Sequence, residues 1–400
     1  MKRKLILLSL FLIALLFVSG CWNRRELNDL AITVGMGIDK SGENYRVSTQ
    51  VVIPSQVAGK KGGIQTPVTM YKETGESLLE AIRKMTTASP RKIYASHLRV
   101  LVLGESLARE GIGDALDLLS RDQELRTDFF IVIAKKTTAE KTLKILTQLE
   151  KIPSVNMFAS LETSEKSWAP TTTITLDQLI AELLSEGKHP VLTGIQVIGS
   201  QEIGETSENL DQIDPSAKVK YSGLAVFKKD KLIGWLNEEE SKAYTYINDE
   251  IKSTVGVITC PEGGKLSLEM MHSKTTVKGS VTGNQPTINI GIRAQMNIAE
   301  VQCSVDLTKT ETIAELEKLS NQKLEGFIEA SIKKVQRKYK VDIFGFGDII
   351  HRTHPKAWKK LKKDWDQNFT KMPVTVKVDS RIRHLGAVSS SLLKDMEKKE

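Results

Sequence analysis

An α+β protein with antiparallel-rich sheets and packed helices is what this sequence predicts, on three observations. Runs with an apolar residue at every second position recur in both halves, as in Ala31–Ile38, Tyr45–Ile53 and Val374–Ile382. Other segments repeat their apolar residues at spacings of three and four, the helical period. In the second half strands come first and helices after, the segregated order of an α+β chain rather than of repeated βαβ units. With 40% hydrophobic and 26% charged residues, the composition is that of a folded chain and not of a disordered one.

The first element is a leader. Lys2, Arg3 and Lys4 precede an apolar stretch, Leu5–Val18, that falls short of the ~20 residues a bilayer-spanning helix needs and fits a secretory signal. Val18, Ser19 and Gly20 then lead into Cys21, the lipobox pattern of bacterial lipoproteins. A thiolate accepts diacylglycerol, and small residues before it admit the peptidase. Residues 1–20 are therefore expected to be removed, leaving Cys21 as an N-palmitoyl, S-diacylglycerol cysteine on the extracytoplasmic face of a membrane. Trp22 beside it suits either the headgroup region or packing on the first domain. Residues 21–400 keep 54 basic against 49 acidic side chains, a net charge of about +5. That balance suits apposition to anionic lipid and is too weak for a nucleic-acid stripe, so no nucleic-acid partner is expected. Cys260 and Cys303 are too few for a disulfide framework, and two buried free thiols are the expectation.

The hairpin Ala31–Ile38/Tyr45–Ile53 turns through Asp39–Asn44, and Gln56–Thr66 is a glycine- and lysine-bearing loop. Helices are predicted over 75–88, 106–119 and 139–149, with strands at 98–103 and 128–134 between them. The helix from Thr175 to Gly187 has the clearest signals: a Thr175/Gln178 capping box, leucines and an isoleucine at helical spacing, then Gly187 and Pro190 as stops. Val191–Ile198 is a strand, and the polar run 200–216, which shows no period, reads as a linker. Strands follow at 222–227, 232–236, 254–259, 266–272, 275–282 and 287–299. A long helix covers 311–338, a second carries Trp358, Leu361, Trp365 and Phe369 on one face and five lysines on the other, and Val374–Ile382 closes the sheet. Ser389–Glu400 is a polar tail. The ~380 residues after the leader imply two or three domains.

Several runs, taken in order, carry a resemblance: Cys21-Trp22 with Glu26-Leu27, Ala31–Asp39, His97–Glu105, Arg121–Arg126, Gly223–Lys228 with Leu232–Leu236, and above all Gln336–Gly347 followed by Pro355, Trp358, Trp365 and Phe369. Over essentially its whole length the chain resembles the GerC-type spore germination lipoproteins, the C subunits of nutrient germinant receptors. The resemblance implies three α+β domains, here placed at 21–199, 217–262 (a small middle domain) and 263–400, with 200–216 as linker. It also implies A-type and B-type receptor subunits as partners, membrane lipid through Cys21, and a place on the outer surface of the spore's inner membrane. It supplies no catalytic residues.

Other chemistry is weak. Ser106 follows a strand and opens a helix, as a hydrolase nucleophile does, but Ala108 stands where that turn needs glycine; Ser106 is read as a helix cap. His351 and His354 are spaced for a metal only on a helix, which Pro355 disfavours, and no third ligand is near. Gly35-Met-Gly37 lies within a strand and is no phosphate loop. His97, His189, His272 and His384 are isolated. Gly345 and Gly347 flank Phe346, and the pattern reads as a helix stop and a turn with Phe344 and Phe346 packing inward. No catalytic residue, metal or cofactor is expected. The alternative reading, an extracytoplasmic substrate-binding lipoprotein of a transporter, shares Cys21 but requires two similar α/β lobes around a cleft.

Overall fold

The computed structural model describes residues 3, 4, 6, 26–58 and 66–384. The lipobox Val18–Cys21, Trp22, most of the 56–66 loop and the polar tail lie outside them.

Two sheets organise the described residues. The first has nine strands: β1 (Leu30–Ser41), β2 (Asn44–Val52), β3 (Val68–Gly75), β4 (Lys92–Tyr94), β5 (Val100–Gly104), β6 (Phe130–Ala134), β7 (Val191–Gly199), β8 (Ala217–Lys228) and β9 (Lys231–Trp235). Their order is β3-β2-β1-β5-β6-β7-β8-β9, with β4 also pairing β1. The centre, β1-β5-β6-β7, is parallel, and both flanks are antiparallel. Strands in a parallel centre are covered on both faces, which is why β5 and β6 are continuous apolar runs with every residue buried.

The helices of this half are α1 (Pro54–Ala58), α2 (Leu78–Lys84), α3 (Glu105–Glu110), α4 (Gly113–Arg121), α5 (Ala139–Lys144), α6 (Pro153–Ser167), α7 (Leu176–Leu184), α8 (Gln201–Gly204) and α9 (Glu208–Asp211). Gly35 and Gly37 of β1 have a packing role: a Cβ on Gly35 would lie 1.9 Å from Ser154 Oγ, and one on Gly37 3.0 Å from Ala139 and Leu143, so these glycines let α5 and α6 sit on the strand. Buried Asp39, near the end of β1, accepts from the Ala139 and Glu140 N–H groups at 2.8 and 2.9 Å and so satisfies the first N–H groups of α5 from the strand it packs on.

The second sheet, β10 (Thr254–Thr259), β11 (Lys265–Thr282), β12 (Gln285–Val301) and β13 (Val374–His384), is ordered β10-β11-β12-β13. The strands expected at 266–272 and 275–282 are one strand carrying an irregularity between Met270 and His272. α10 (Glu238–Ile247), α11 (Thr310–Lys334), α12 (Phe346–Thr353), α13 (Pro355–Leu361) and α14 (Trp365–Lys371) complete this half. The edge of β13 is closed by α11. Glu317, Asn321 and Glu325, four residues apart on one helix face, accept from the outward N–H groups of Ile382, Ser380 and Val378 at 2.8–2.9 Å.

Five expectations are corrected. Residues 200–216 are not a linker: they form α8 and α9, and the buried Asn209 side chain bonds Leu146 O, Ala217 O and Ala217 N. Residues 217–262 are not a separate middle unit, because β8 and β9 extend the first sheet while β10 begins the second. Cys260 and Cys303 are joined as a disulfide. The turn at 260–264 and the chain leaving β12 meet at the same end of the sheet, with Cα atoms 6.5 Å apart. Ser106 is not a cap: Gly104 holds that position, where a Cβ would lie 2.2 Å from Asp39 Oδ1, and Ser106 is the exposed second residue of α3. Helix 106–119 is broken into α3 and α4 at Gly111, whose φ of 141° only glycine adopts freely.

Candidate functional site

The most built feature of the molecule is the place where the two sheets meet. α7 ends at Leu184, three residues before the predicted stop, and Ser185–Pro190 leave it to cross the loop between α11 and α12. α11 runs into a single π-helical turn, Val335–Tyr339, and stops at Lys340 in the left-handed region. The following loop closes on Asp342, whose side chain is fully buried. Asp342 Oδ1 accepts from the N–H groups of Phe344 and Gly345, each at 3.0 Å. Oδ2 accepts from Gly347 N–H at 2.8 Å and Trp365 Nε1–H at 3.1 Å. Burial pushes the Asp342 carboxyl up to about 6, against these donors, which favour the charged form.

Two glycines make the crossing possible. A Cβ on Gly347 would lie 2.6 Å from Gly187 Cα, and a Cβ on Gly187 2.5 Å from Asp348 N. The backbones touch directly, so any side chain would part them. Gly345 has φ +75° and begins α12, whereas Gly347 is helical and is glycine for space alone. The crossing is bonded on both sides: His189 N–H donates to Asp342 O at 2.7 Å, and Ser185 Oγ–H to Asp348 Oδ1 at 2.9 Å.

Around it lies a polar rim. His189 Nδ1 accepts from Lys229 N–H at 3.1 Å, which leaves Nε2–H to face Asp366 Oδ1 at 3.3 Å, while Lys228 reaches Asp366 Oδ2 at 2.9 Å. Burial opposes the Asp366 charge, but His189 and Lys228 together hold its carboxyl below the usual range. A cleft of about 790 Å³ opens here between Glu186, His189, Lys228 and the α13–α14 segment. Elsewhere in this half Glu250 has a buried carboxylate oxygen, and burial lifts its carboxyl to about 7, with the Lys188 charge opposing the rise and those of Glu165 and Glu182 adding to it. A second strut joins Tyr339 Oη–H to Trp235 O at 2.6 Å, where Gly234 gives the ring room.

Phe344, Phe346, Trp358, Trp365 and Phe369 are brought together in one buried cluster with α11 and the second sheet, as their spacing predicts. Phe344 and Phe346 rings are 5.2 Å apart, and those of Trp358 and Trp365 5.1 Å. The Trp-bearing helix is interrupted by a tight 3₁₀ turn, Lys362–Asp364, between α13 and α14. His351 stacks on Trp358 at 5.5 Å, and His354 sits between α12 and α13 against Thr353. Among the described residues, no three His, Cys, Asp or Glu side chains are grouped to hold a metal ion. Sequence reasoning missed Asp342, Gly187 and His189 as members of one site. Gly187 looked like a helix stop alone, and His189 stood isolated; only Asp342 gave a signal, as an acid inside an apolar, glycine-bearing run.

The chain matches the family described as spore germination protein N-terminal domain over residues 23–197, and that described as spore germination B3/GerAC like, C-terminal, over residues 222–386. It is 34% identical to spore germination protein KC of Bacillus subtilis (strain 168), over 96% of this chain and 97% of that one. It is 27% identical to the putative spore germination protein YfkR of the same organism, covering 94% and 95% of the two chains. Among solved structures, the crystal structure of the GerBC protein shares the fold, with a TM-score of 0.53 and 21% identity, over 87% of this chain and 96% of that one. The second family segment starts within β8, so each of the two matched segments supplies strands to the first sheet.

Proposed function

Because the chain belongs to the B3/GerAC-like spore germination family, we propose that it is the lipid-anchored, non-enzymatic C subunit of a nutrient germinant receptor. It works on the outer surface of the spore's inner membrane beside A-type and B-type subunits, tethered by Cys21. The observation that carries this reading is the pair of family matches spanning both sheets, preceded in the sequence by Val18-Ser19-Gly20-Cys21. Among the described residues no helix is long and apolar enough to cross a membrane. Each acyl methylene contributes ~0.8 kcal/mol, so diacylglycerol plus palmitate is an anchor that needs no spanning helix.

The mechanism is scaffolding. The Asp342 crossing ties the two sheets through backbone contacts, buried hydrogen bonds and an aromatic core, so a force on one sheet is transmitted to the other. The transporter alternative finds no second lobe like the first: the sheets have nine and four strands, with different connections. Cys21→Ala tests the proposal. The variant is expected to remain an unlipidated precursor, to leave the membrane fraction, and to give spores that fail to respond to nutrients. Mass spectrometry finding lipid on the variant, or a chain still cut before residue 21, would refute it.

A further inference from the structure

We propose that the open face of the second sheet is a docking surface for an acidic, extended segment of a partner protein. One face of β11, β12 and β13 is buried under helices, and the other is exposed along its middle. The strand registers place Thr276 opposite Gly291 and Gly291 opposite Lys377; two residues away, Lys278 is opposite Asn289 and Lys274 opposite Arg293. Four cations therefore surround Gly291. Gly291 lies on the floor of a hollow of about 710 Å³ that spans the three strands, and the nearest atom to a Cβ built there is Thr276 O at 4.0 Å.

The charges are not balanced locally. Lys274 and Arg293 are directly opposed across the pair of strands, an arrangement that destabilises a sheet unless an anion lies between or over them. Asp249 takes Lys274, and Asp379, the β13 neighbour of Arg293, lies 3.2 Å from Arg381 instead. Among the described residues, Lys278, Arg293 and Lys377 have no carboxylate within ion-pair distance. Three cations without an ion-pair partner against the single Asp379 leave this face net positive around a bare floor.

A peptide fits this surface better than a bilayer does. The face is a hollow whose exposed side chains are lysines, arginine, threonines, asparagine and aspartate; Ile290, Ile292 and Val378 also border it but are buried, and no exposed Trp, Phe or Leu, the anchors of a membrane-binding face, lines it. The glycine floor lets another backbone approach closely. An extended strand carries same-side residues ~6.6 Å apart, the spacing of the rows on the sheet, so acidic side chains at alternate positions meet successive cations.

The test uses the full chain in uncharged detergent micelles and a fluorescein-labelled peptide alternating aspartate and serine. We expect binding at low salt that weakens as salt is raised, falls at least ten-fold in Arg293→Glu/Lys377→Glu, and falls by a smaller factor in Arg293→Gln/Lys377→Gln. Lys359→Glu/Lys360→Glu, which reverses two equally exposed cations on α13, should leave it within two-fold. No binding by the parent chain, or equal losses in the two reversed-charge variants, would overturn the proposal. So would capture of phosphatidylglycerol vesicles but not of the peptide, lost on reversing Arg293 and Lys377, since that outcome assigns the face to a membrane.

Discussion

Gly347→Ala probes the crossing with a single methyl. The residue is helical, so alanine brings no backbone strain and by propensity gains up to ~1 kcal/mol. Sterically it cannot stay. The new Cβ meets Gly187 Cα at 2.6 Å, Gly187 O at 2.7 Å and Trp365 Nε1 at 2.7 Å, and two of these are backbone atoms that no rotamer change can move. Overpacking of this kind costs ~1–3 kcal/mol. Parting the loops also stretches the 2.8 Å bond from Gly347 N–H to buried Asp342, and a bond to a charged group contributes ~1.5–3 kcal/mol. The net expectation is a loss of ~2–4 kcal/mol, read as a fall of several degrees in Tm. Gly326→Ala is the control of opposite sign: it is exposed on α11 with nothing within 4 Å, and should gain ~0.5–1 kcal/mol. Gly187→Ala should match Gly347→Ala, and the double variant should cost clearly less than the sum, because loops parted by one methyl have room for the other. Thermal unfolding of all four proteins checks the argument. A Gly347→Ala protein that melts like the parent, or strictly additive glycine variants, would refute the direct backbone crossing.

Trp365→Phe keeps an aromatic ring in the core but removes the donor to Asp342, and should cost ~1–3 kcal/mol; Trp365→Ala adds a cavity and should reach ~3–5 kcal/mol, so equal melting of the two would contradict the role given to Nε1. Reduction of Cys260–Cys303 opens a link between residues 43 apart and should cost about 4 kcal/mol by loop entropy, with thiol titration before and after reductant as the check. Glu250 and Asp342 titrate near 7 and 6 in the folded chain, above their ordinary 4.5 and 3.8, so the folded state binds these protons more tightly than the unfolded state. Their contribution is full below the ordinary values and is lost as pH rises through the folded ones. Tm should fall between about pH 4 and 7, and Glu250→Gln should flatten that slope; an unchanged slope would remove Glu250 from the account.

Much of the local structure was legible in the sequence, because period and capping act over a few residues. The Thr175/Gln178 box opens α7 as read, β1 and β2 form the predicted hairpin, and the aromatic spacing of Phe344–Phe369 placed those rings in one core. The α+β class followed from the same periodicities. α6 and α10 escaped notice because serines, threonines and glutamates dilute their apolar faces, and their burial comes from the surface they land on.

Short-range pattern was enough for the α+β class, the order of most elements and the aromatic C-terminal core, all of which depend on composition or on neighbours within a few positions. Tertiary structure alone decided which sheet received β8 and β9, that Cys260 meets Cys303, that Gly35, Gly37, Gly187 and Gly347 are glycines for space, and that Asp342 binds two loops together. The reason is range. A period records which face of an element is apolar, but a glycine contact, a disulfide or a buried carboxylate joins residues tens to hundreds apart, and their proximity exists only after the chain has folded.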